Sequence, residues 1–453
     1  MKKTIRHLAV DILDQVYQTH SFAALLLDEN LDDNELSGTP DGRLLTHLVY
    51  GSLRFQGHLD WILAKLYRGD FGKMEESIKN ILRVGLYQLK FSDRLPAFAV
   101  VDEAVKIAKI IRPAQSGQSG LVNAILRNYL RQGNNIAFPS LEKNPAEYIA
   151  AYHSHPLWLV KRWIKTLGIK DTQALCAANN ELPPLTLRVN ILKSSRDELK
   201  DKLTAAGFNA TATDFSPDGL ILHDTTQPVQ KTIFFREGYL RLQDEASQLI
   251  SYLVFPQNSE SILDLCAGTG GKATHLAAIM KNTGKIAAVD YDLKKITELK
   301  TEAARQGITI METQQADLSV GLPESLKDKF DRVLVDAPCS GLGTLRRNPE
   351  IKWRTADNHL AKFATTQRTI LQNASLAVKK GGHLIYSTCS LLPEENENVI
   401  DYFLKTNSHF FLNPQPESHH PQLFDAKGYF RTYPHIHHMD GFFGAVLERK
   451  SGL

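Results

Sequence analysis

From about residue 241 onward, short apolar segments alternate with amphipathic ones, and no other feature of the sequence restricts the fold as strongly. The segments predicted to be strands are SILDLC, KIAAVD, TIMETQQ, RVLVDA and GHLIYST. Strands that alternate with helices form mostly parallel sheets covered by helices on both faces. We therefore predict an α/β domain over residues 241–453, with its ligand site beyond the carboxyl ends of the strands.

The residues before this domain follow two other patterns. Residues 4–132 place apolar side chains at three- and four-residue steps, as in SIKNILRVGLYQLKF, which predicts an all-α helix bundle over residues 1–135. Residues 146–240 follow a polar break and combine the strand patterns LTLRVN and GLILHD with the helix pattern SSRDELKDKLTAAG. They predict a small α+β linker domain. Several domains agree with a chain of 453 residues.

Composition narrows the class of protein. The net charge is only +3, which leaves nucleic acid open as a partner, and no apolar run reaches the roughly 18 residues of a membrane span. The cysteines lie far apart, without the close pairs typical of metal sites or disulfide frameworks, and the histidines of PHIHHMD match no firm ligand spacing. We expect a cytoplasmic protein without metal or membrane association. Cys176 is expected to be a buried core residue.

The first predicted strand of the α/β domain ends in a glycine-rich turn, LCAGTGGK. Glycine lets the backbone approach a ligand, and the helix that follows directs its amide groups toward it. Asp290 ends the second strand, where an acid suits hydrogen bonds to ribose hydroxyls, and Asp317 follows the third, within reach of an adenine amino group. Each acid could instead cap a turn. Their shared position at strand ends favours a nucleotide-type cofactor, either NAD or S-adenosylmethionine.

Two cysteines follow the last two predicted strands. Cys339 comes shortly after Asp336 in DAPCS, and Cys389 stands at the end of YSTC. Carbon 5 of cytosine becomes reactive after a thiolate adds to carbon 6, which requires a cysteine, an acid near the ring nitrogen and a methyl donor. If the two strands are neighbours, both sulfurs can face one base. The pattern favours methyl transfer over hydride transfer, and the spacing leaves either cysteine open as the nucleophile.

A basic segment, TLRRNPEIKWR, lies between these cysteines. Its cations and single aromatic residue suit phosphate contacts and base stacking, which predicts RNA binding, with a solvated loop as the alternative. The target base must be flipped or already unpaired. The predicted RNA-binding residues are Arg346, Arg347, Lys352, Trp353 and Arg354.

At these residues the chain resembles the RNA 5-methylcytosine methyltransferases, and most closely the bacterial ribosomal RNA small subunit methyltransferase B family, also called Sun or Fmu. DAPCSGLGTLRRNPEIKWR, RLQDEASQL, YSTCSLLPEENE and DGFFGAVLER carry the resemblance over about residues 236–449. YGSLRF, ILRVGLYQL and GLVNAILRNYLR resemble a NusB-type helical RNA-binding domain, whose fusion to the methyltransferase separates this family from its relatives.

The resemblance implies a Rossmann-like, S-adenosylmethionine-dependent methyltransferase domain. The family's glycine segment reads C-A-A-P-G-G-K, and this chain departs from it at Gly268 and Thr269. The positions implied to bind the cofactor are Cys266, Ala267, Gly268, Thr269, Gly270, Gly271, Lys272, Asp290, Asp317 and Asp336.

The resemblance also implies a reaction and a substrate. Cys389 would be the nucleophile, Cys339 would assist release of the product, and Asp336 would contact the target base. The substrate would be one loop cytosine of 16S rRNA, conventionally numbered 967. The alternatives are the same reaction on tRNA, or a non-catalytic RNA-binding factor in ribosome assembly. A monomer is expected, with residues 146–240 bridging RNA and catalytic domain.

Overall fold

A computed structural model of the chain describes residues 3–92, 95–111, 116–225, 228–414 and 420–451, apart from the side chains of residues 116 and 134. Within these ranges, no helix is both long and apolar enough to cross a membrane.

The helices are α1 (Ile5–Thr19), α2 (Ala23–Asp33), α3 (Pro40–Arg54), α4 (Gln56–Leu66), α5 (Glu76–Phe91), α6 (Ala97–Ile111), α7 (Ser116–Gln132), α8 (Pro145–Tyr152), α9 (Leu157–Ala178), α10 (Arg196–Ala205), α11 (Ile233–Arg236), α12 (Glu245–Val254), α13 (Gly271–Ile279), α14 (Leu293–Gln306), α15 (Ile351–Arg354), α16 (Leu360–Ser375), α17 (Glu397–Thr406) and α18 (Pro434–His437). The strands are β1 (Leu185–Val189), β2 (Asn209–Ala212), β3 (Gly219–His223), β4 (Leu240–Leu242), β5 (Ser261–Leu265), β6 (Lys285–Asp290), β7 (Met311–Gln315), β8 (Phe330–Asp336), β9 (Val378–Thr388), β10 (Phe410–Leu412), β11 (Phe430–Arg431) and β12 (Phe443–Arg449).

The chain forms two compact units, and each unit is made from two stretches of sequence. The first unit comprises Met1–Leu182 and Leu345–Asp357, and the second comprises Pro183–Thr344 and Asn358–Leu453. The helices α8 and α9, which lie in the segment expected to form the small domain, belong to the first unit. The domain bounds 1–135, 146–240 and 241–453 stay a prediction.

The first unit is helical, as the apolar periodicity predicts. The side chains of Thr4 and Thr39 accept hydrogen bonds from the first turns of α1 and α3, which fixes where these helices begin. The apolar faces of α1 to α7 form one continuous core. In α9 the backbone is broken at Gly168, whose φ of 81° is not helical, so α9 consists of two helical pieces.

The segment predicted to be an RNA-binding loop is part of this helical unit. Lys352 is fully buried and donates from Nζ to the Arg54 carbonyl at 2.8 Å and to Asn180 Oδ1 at 3.2 Å. Trp353 donates from Nε1 to the Leu53 carbonyl at 2.9 Å. The segment is therefore held by buried hydrogen bonds to α3 and to the end of α9.

The basic side chains on either side of Lys352 and Trp353 also make contacts within the first unit. Arg346 is buried and donates to the Leu182 carbonyl at 3.2 Å, and Arg354 lies over the Phe22 ring. Arg346 and Lys352 are thus buried and make contacts inside the protein, and an RNA contact by either stays a prediction. An RNA contact by Arg347 stays a prediction.

The second unit begins with a small antiparallel sheet in the order β2-β3-β1-β4. The predicted strands over LTLRVN and GLILHD are confirmed as β1 and β3. The helix pattern between them is confirmed as α10, which begins at a capping box formed by Ser195 and Glu198. The buried hydrogen bonds of Arg188 on β1 attach this sheet to α13 and α14, through Thr274 and Gln306.

The larger sheet has the order β10-β12-β9-β8-β5-β6-β7, with β11 paired to β12. The five strands from β9 to β7 are parallel and coincide with the five predicted segments, whereas β10 and β12 run antiparallel at one edge. Alternate residues of β8 enter two separate cores: Val333 and Val335 pack with α16 and α17, and Leu334 packs with α12 and α13. The sheet is thus covered on both faces, as predicted.

Candidate active site

The turn between β5 and α13 is built by glycine. Gly268 and Gly270 have φ values of 57° and 82°, which are left-handed values that glycine adopts readily. A Cβ at Gly270 would lie 2.8 Å from Leu299 Cγ, so α14 approaches the turn closely. The Gly268 N–H donates to Asp290 Oδ2 at 2.9 Å. These contacts fix the turn to the carboxyl end of β6.

A cavity of about 280 Å³ opens beside this turn. Most of the predicted cofactor residues lie along its wall, together with residues from β4 and the start of α12. The lining residues are Arg241, Leu242, Gln243, Ser247, Asp264, Cys266, Ala267, Gly268, Thr269, Gly271, Lys272 and Asp336.

Asp264 is the most unusual group in the wall of this cavity. It is fully buried near the end of β5, and neither carboxyl oxygen has a hydrogen-bond partner of ordinary geometry among the described residues. Burial, and then the charge of Asp336, raise the pKa of Asp264 to about 8, although the charge of Lys272 and, less, the Ala273 N–H oppose this rise. An orphaned carboxyl group of this kind fits a ligand that supplies hydrogen-bond donors.

The wall as a whole fits S-adenosylmethionine, whose amino group, carboxylate and ribose hydroxyls need both acceptors and donors. Arg241 forms an ion pair with Glu302 at 2.9 Å and donates to Thr269 Oγ1 at 2.9 Å. Thr269 stands where the family pattern has proline. Its hydroxyl accepts a hydrogen bond from Arg241 that a proline could not accept through its side chain. Gly268 and Gly271 have no side chains, so the turn leaves room for the ligand there.

An ion pair connects the cofactor cavity with the next strand ends. Lys272 Nζ lies 2.6 Å from Asp336 Oδ2, and the Ser387 hydroxyl donates to Asp336 Oδ1 at 2.8 Å. Burial alone would lower the pKa of Lys272, but the charge and hydrogen bond of Asp336 raise it above its usual value. Lys272 is therefore charged and holds the Asp336 carboxylate in place at the end of β8.

The two candidate cysteines meet beside this ion pair. Cys339 follows β8 and Cys389 follows β9, and these strands are parallel neighbours, with Asp336 opposite Ser387. The two Sγ atoms lie 3.3 Å apart, and both thiols are free and partly exposed. The hydrogen bond with Cys389, followed by burial, raises the pKa of Cys339 well above its usual value. The structure thus brings together both thiols and Asp336.

The remaining predicted residues have more local contacts. Asp317 is exposed beyond the edge strand β7 and accepts hydrogen bonds from the Ser319 N–H and hydroxyl, which lower the pKa of Asp317. These are the contacts of a turn cap, and a contact with adenine stays a prediction. Cys266 lies in the wall of the turn, where burial raises the pKa of its thiol.

Several residues of the site were not predicted from the sequence, among them Arg241 in the cavity wall and the acids and hydroxyl Asp264, Glu395 and Ser387. Asp264 is an acid within an otherwise apolar strand pattern, and this exception is the sequence feature that could have identified it as a site residue. Ser387 could be found only from the pairing of β8 with β9. Glu395 is fully buried behind the cysteines, although it lies in a run of acidic residues, a pattern that is typical of solvent-exposed segments.

The predicted RNA-binding residues 346–354 belong to the first unit and are not among the residues of this site. In the histidine-rich stretch 434–440, His437 Nδ1 accepts a hydrogen bond from the Tyr433 N–H. Across the described ranges, no group of three or more His, Cys, Asp or Glu side chains is arranged to hold a metal ion.

Comparisons with known proteins agree with this architecture. A family model described as 16S rRNA methyltransferase RsmB/F matches residues 251–448. A NusB family model matches residues 3–131, and a model of the ferredoxin-like domain of RsmF/B-like methyltransferases matches residues 155–230. These matches confirm the fold class predicted from the sequence.

Full-length relatives are also similar. The chain is 36% identical to the probable ribosomal RNA small subunit methyltransferase B of Bacillus subtilis (strain 168), over 99% of this chain and 100% of the relative. Identity to the ribosomal RNA small subunit methyltransferase B of Escherichia coli O6:K15:H31 (strain 536 / UPEC) is 33%, over 99% of both chains. The crystal structure of PH0851 covers 99% of this chain and 100% of its own, with a TM-score of 0.81 and 27% identity. The chain belongs to the ribosomal RNA small subunit methyltransferase B family of S-adenosylmethionine-dependent enzymes.

Proposed function

We propose that the protein methylates carbon 5 of a cytosine in 16S rRNA through a covalent adduct with Cys389. The observation that carries this proposal is the pair of thiols, 3.3 Å apart, at the ends of neighbouring strands beside Asp336 and the cofactor cavity. Two thiols that close can act on the same ring. Methylation of an exocyclic amine or a ribose hydroxyl would need neither.

The chemistry follows from the electronic structure of cytosine. The thiolate of Cys389 adds to carbon 6, which makes carbon 5 nucleophilic. S-adenosylmethionine, when bound, supplies the methyl group for carbon 5. A base then removes the proton of carbon 5, and the bond between carbon 6 and sulfur breaks, which returns the electron pair to Cys389. The net products are 5-methylcytosine, S-adenosylhomocysteine and a proton.

The environment of the two thiols supports different roles for them. The hydrogen bond with Cys389 and burial raise the pKa of Cys339, which favours its protonated form. A protonated thiol can donate a hydrogen bond to the Cys389 sulfur as that sulfur leaves. Together with the resemblance to the RNA 5-methylcytosine methyltransferases, this supports addition by Cys389 and product release by Cys339.

Asp336 is the group proposed to hold the target base. Its carboxylate is fixed by Lys272 and Ser387 at the end of the strand that leads to Cys339. A carboxylate accepts hydrogen bonds from the amino group of cytosine, and uracil has no such donor. Asp336 can therefore orient the ring toward the thiols and select cytosine over uracil.

The substrate is proposed from the relatives. The names of the matched family model and of the bacterial relatives specify ribosomal RNA of the small subunit. Within that RNA, the family resemblance implies the loop cytosine at position 967, which we propose as the target. Loss of methylation at that position in a strain lacking the protein, with tRNA methylation unchanged, is the expected result. Loss from tRNA instead would contradict it.

Covalent trapping tests the reaction. Wild type, Cys339→Ala and Cys389→Ala are incubated with unmethylated 16S rRNA and radiolabelled S-adenosylmethionine, and denaturation-resistant protein–RNA adducts are measured. Cys339→Ala is expected to accumulate a methylated adduct, because release is slowed, and Cys389→Ala to form none. The opposite pattern would assign the nucleophile to Cys339. Wild type without methyl transfer would overturn the proposed reaction.

A further inference from the structure

Behind the two thiols lies a fully buried acid, Glu395, that the reaction outlined above does not use. It stands at the end of a short 3₁₀ turn between β9 and α17. Because its side chain is fully enclosed, Glu395 contacts neither solvent nor substrate. A buried carboxylate is costly unless several donors compensate it.

The donors that compensate Glu395 come from both cysteine loops. From the loop of Cys339, Ser340 donates its N–H to Oε1 at 2.8 Å and its hydroxyl to Oε2 at 2.5 Å. From the loop of Cys389, the Ser390 hydroxyl donates to the same Oε2 at 2.5 Å. Each of these serines directly follows one of the cysteines. One carboxylate therefore connects the two loops at the residues next to the thiols.

Neighbouring groups orient this carboxylate. Gln367 of α16 donates from Nε2 to Glu395 Oε1 at 3.1 Å and to the Pro338 carbonyl at 3.0 Å. The Tyr386 hydroxyl of β9 donates to the Glu395 carbonyl at 2.6 Å. Both the side chain and the backbone of Glu395 are thus anchored to the strands and helix that carry the active site.

We propose that Glu395 is a positioning residue that ties the Cys339 loop to the Cys389 loop and so sets the distance between the two thiols. This inference rests on the proposed function, in which both thiols act on one base. The charge of Glu395 also contributes to the raised pKa of Cys339, after the hydrogen bond with Cys389 and burial. Glu395 thus supports the protonated state assigned to Cys339 as well as its position.

The test measures thiol proximity without RNA. Dibromobimane becomes fluorescent when it links two nearby thiols, and Cys339→Ala and Cys389→Ala give the background signal. Full-length wild type, Glu395→Ala, Glu395→Gln and Glu397→Ala are compared. Glu397 is the matched control, because it is an acid of the same segment that pairs with Arg431. Affinity for S-adenosylmethionine and the melting temperature report folding.

Glu395→Ala is expected to crosslink several times more slowly than wild type. Its kcat should fall by roughly 100-fold, the loss that a misplacement of about 1 Å can produce, with KM for RNA little changed. Glu395→Gln should recover much of the crosslinking, because the amide oxygen still accepts from the Ser340 N–H and the serine hydroxyls can accept from the amide nitrogen. Glu397→Ala should match wild type.

Wild-type crosslinking and turnover in a folded Glu395→Ala variant would overturn the proposal. If Glu395→Ala does not fold, the double variant Ser340→Ala, Ser390→Ala decides, since it removes both hydroxyl donors and keeps the carboxylate. Wild-type crosslinking by that double variant would likewise overturn it. Failure of the proposed function is distinguishable: wild type would form no RNA adduct, while crosslinking would still report whether Glu395 sets the distance.

Discussion

A carboxyl group inside a β-strand, such as Asp264, must either stay neutral or meet a ligand that compensates its charge. In an unfolded chain an aspartate titrates near pH 3.9, whereas Asp264 has a pKa of about 8 in the folded protein. Between these values the folded state binds more protons than the unfolded state. The ligand-free protein therefore loses stability as pH rises from about 4 to about 8.

Asp264→Asn should remove this dependence, because an amide stays neutral. We expect the variant to raise the melting temperature of the ligand-free protein at pH 8 more than at pH 5, and to weaken binding of S-adenosylmethionine in calorimetry at pH 7. Asp292→Asn is the control, since asparagine can replace this aspartate as the cap of α14. An equal shift of melting temperature at both pH values would contradict the raised pKa.

At the scale of elements, the turn from β5 to α13 depends on two glycines in different surroundings. Alanine at either position must adopt a left-handed backbone, at a cost of about 1–2 kcal/mol. A Cβ at Gly268 meets no atom within 4 Å, whereas a Cβ at Gly270 meets Leu299 at 2.8 Å. We therefore expect Gly270→Ala to lower the free energy of unfolding by more than Gly268→Ala in urea titrations. Equal losses of unfolding free energy in the two variants would show that α14 can move away from the added Cβ without cost.

The elements also show which parts of the molecule the sequence can predict. The parallel strands β5 to β9 were predicted because apolar segments that alternate with helical ones have a strong pattern. The strands β2, β4, β10 and β11, each with at most four residues, were not predicted, and neither was β12, which has seven residues but is antiparallel and lies outside this alternation. The cysteines and the glycine turn stand out by residue type. Asp264 and Glu395 do not, because their roles depend on burial that only the folded chain reveals.

The basic segment 345–357 illustrates the same limit. Its charges are typical of an exposed loop, and nothing local indicates that Lys352 is enclosed. The acceptors of its Nζ lie about 170 to 300 positions away in the sequence. Composition alone could therefore predict a basic segment suited to RNA, but not the burial of Lys352.

At the scale of the whole molecule, the first unit is incomplete without residues 345–357. We expect separate chains of residues 1–182 and 183–453 to associate when produced together. Residues 345–357 of the second chain would then form their hydrogen bonds with α3 and with the end of α9 on the first chain. Trp353→Ala removes the hydrogen bond to the Leu53 carbonyl and should weaken recovery of the complex by affinity purification. Fragments that do not associate would contradict the expectation.

This division of the chain also has a consequence for its synthesis. Domains usually fold in the order in which they leave the ribosome, the amino-terminal one first. Here the amino-terminal helices receive their last contributing residues only when Asp357 has been translated, after all of β1 to β8. The helical unit that begins the protein is thus completed late, in the interval of translation between Cys339 and Cys389.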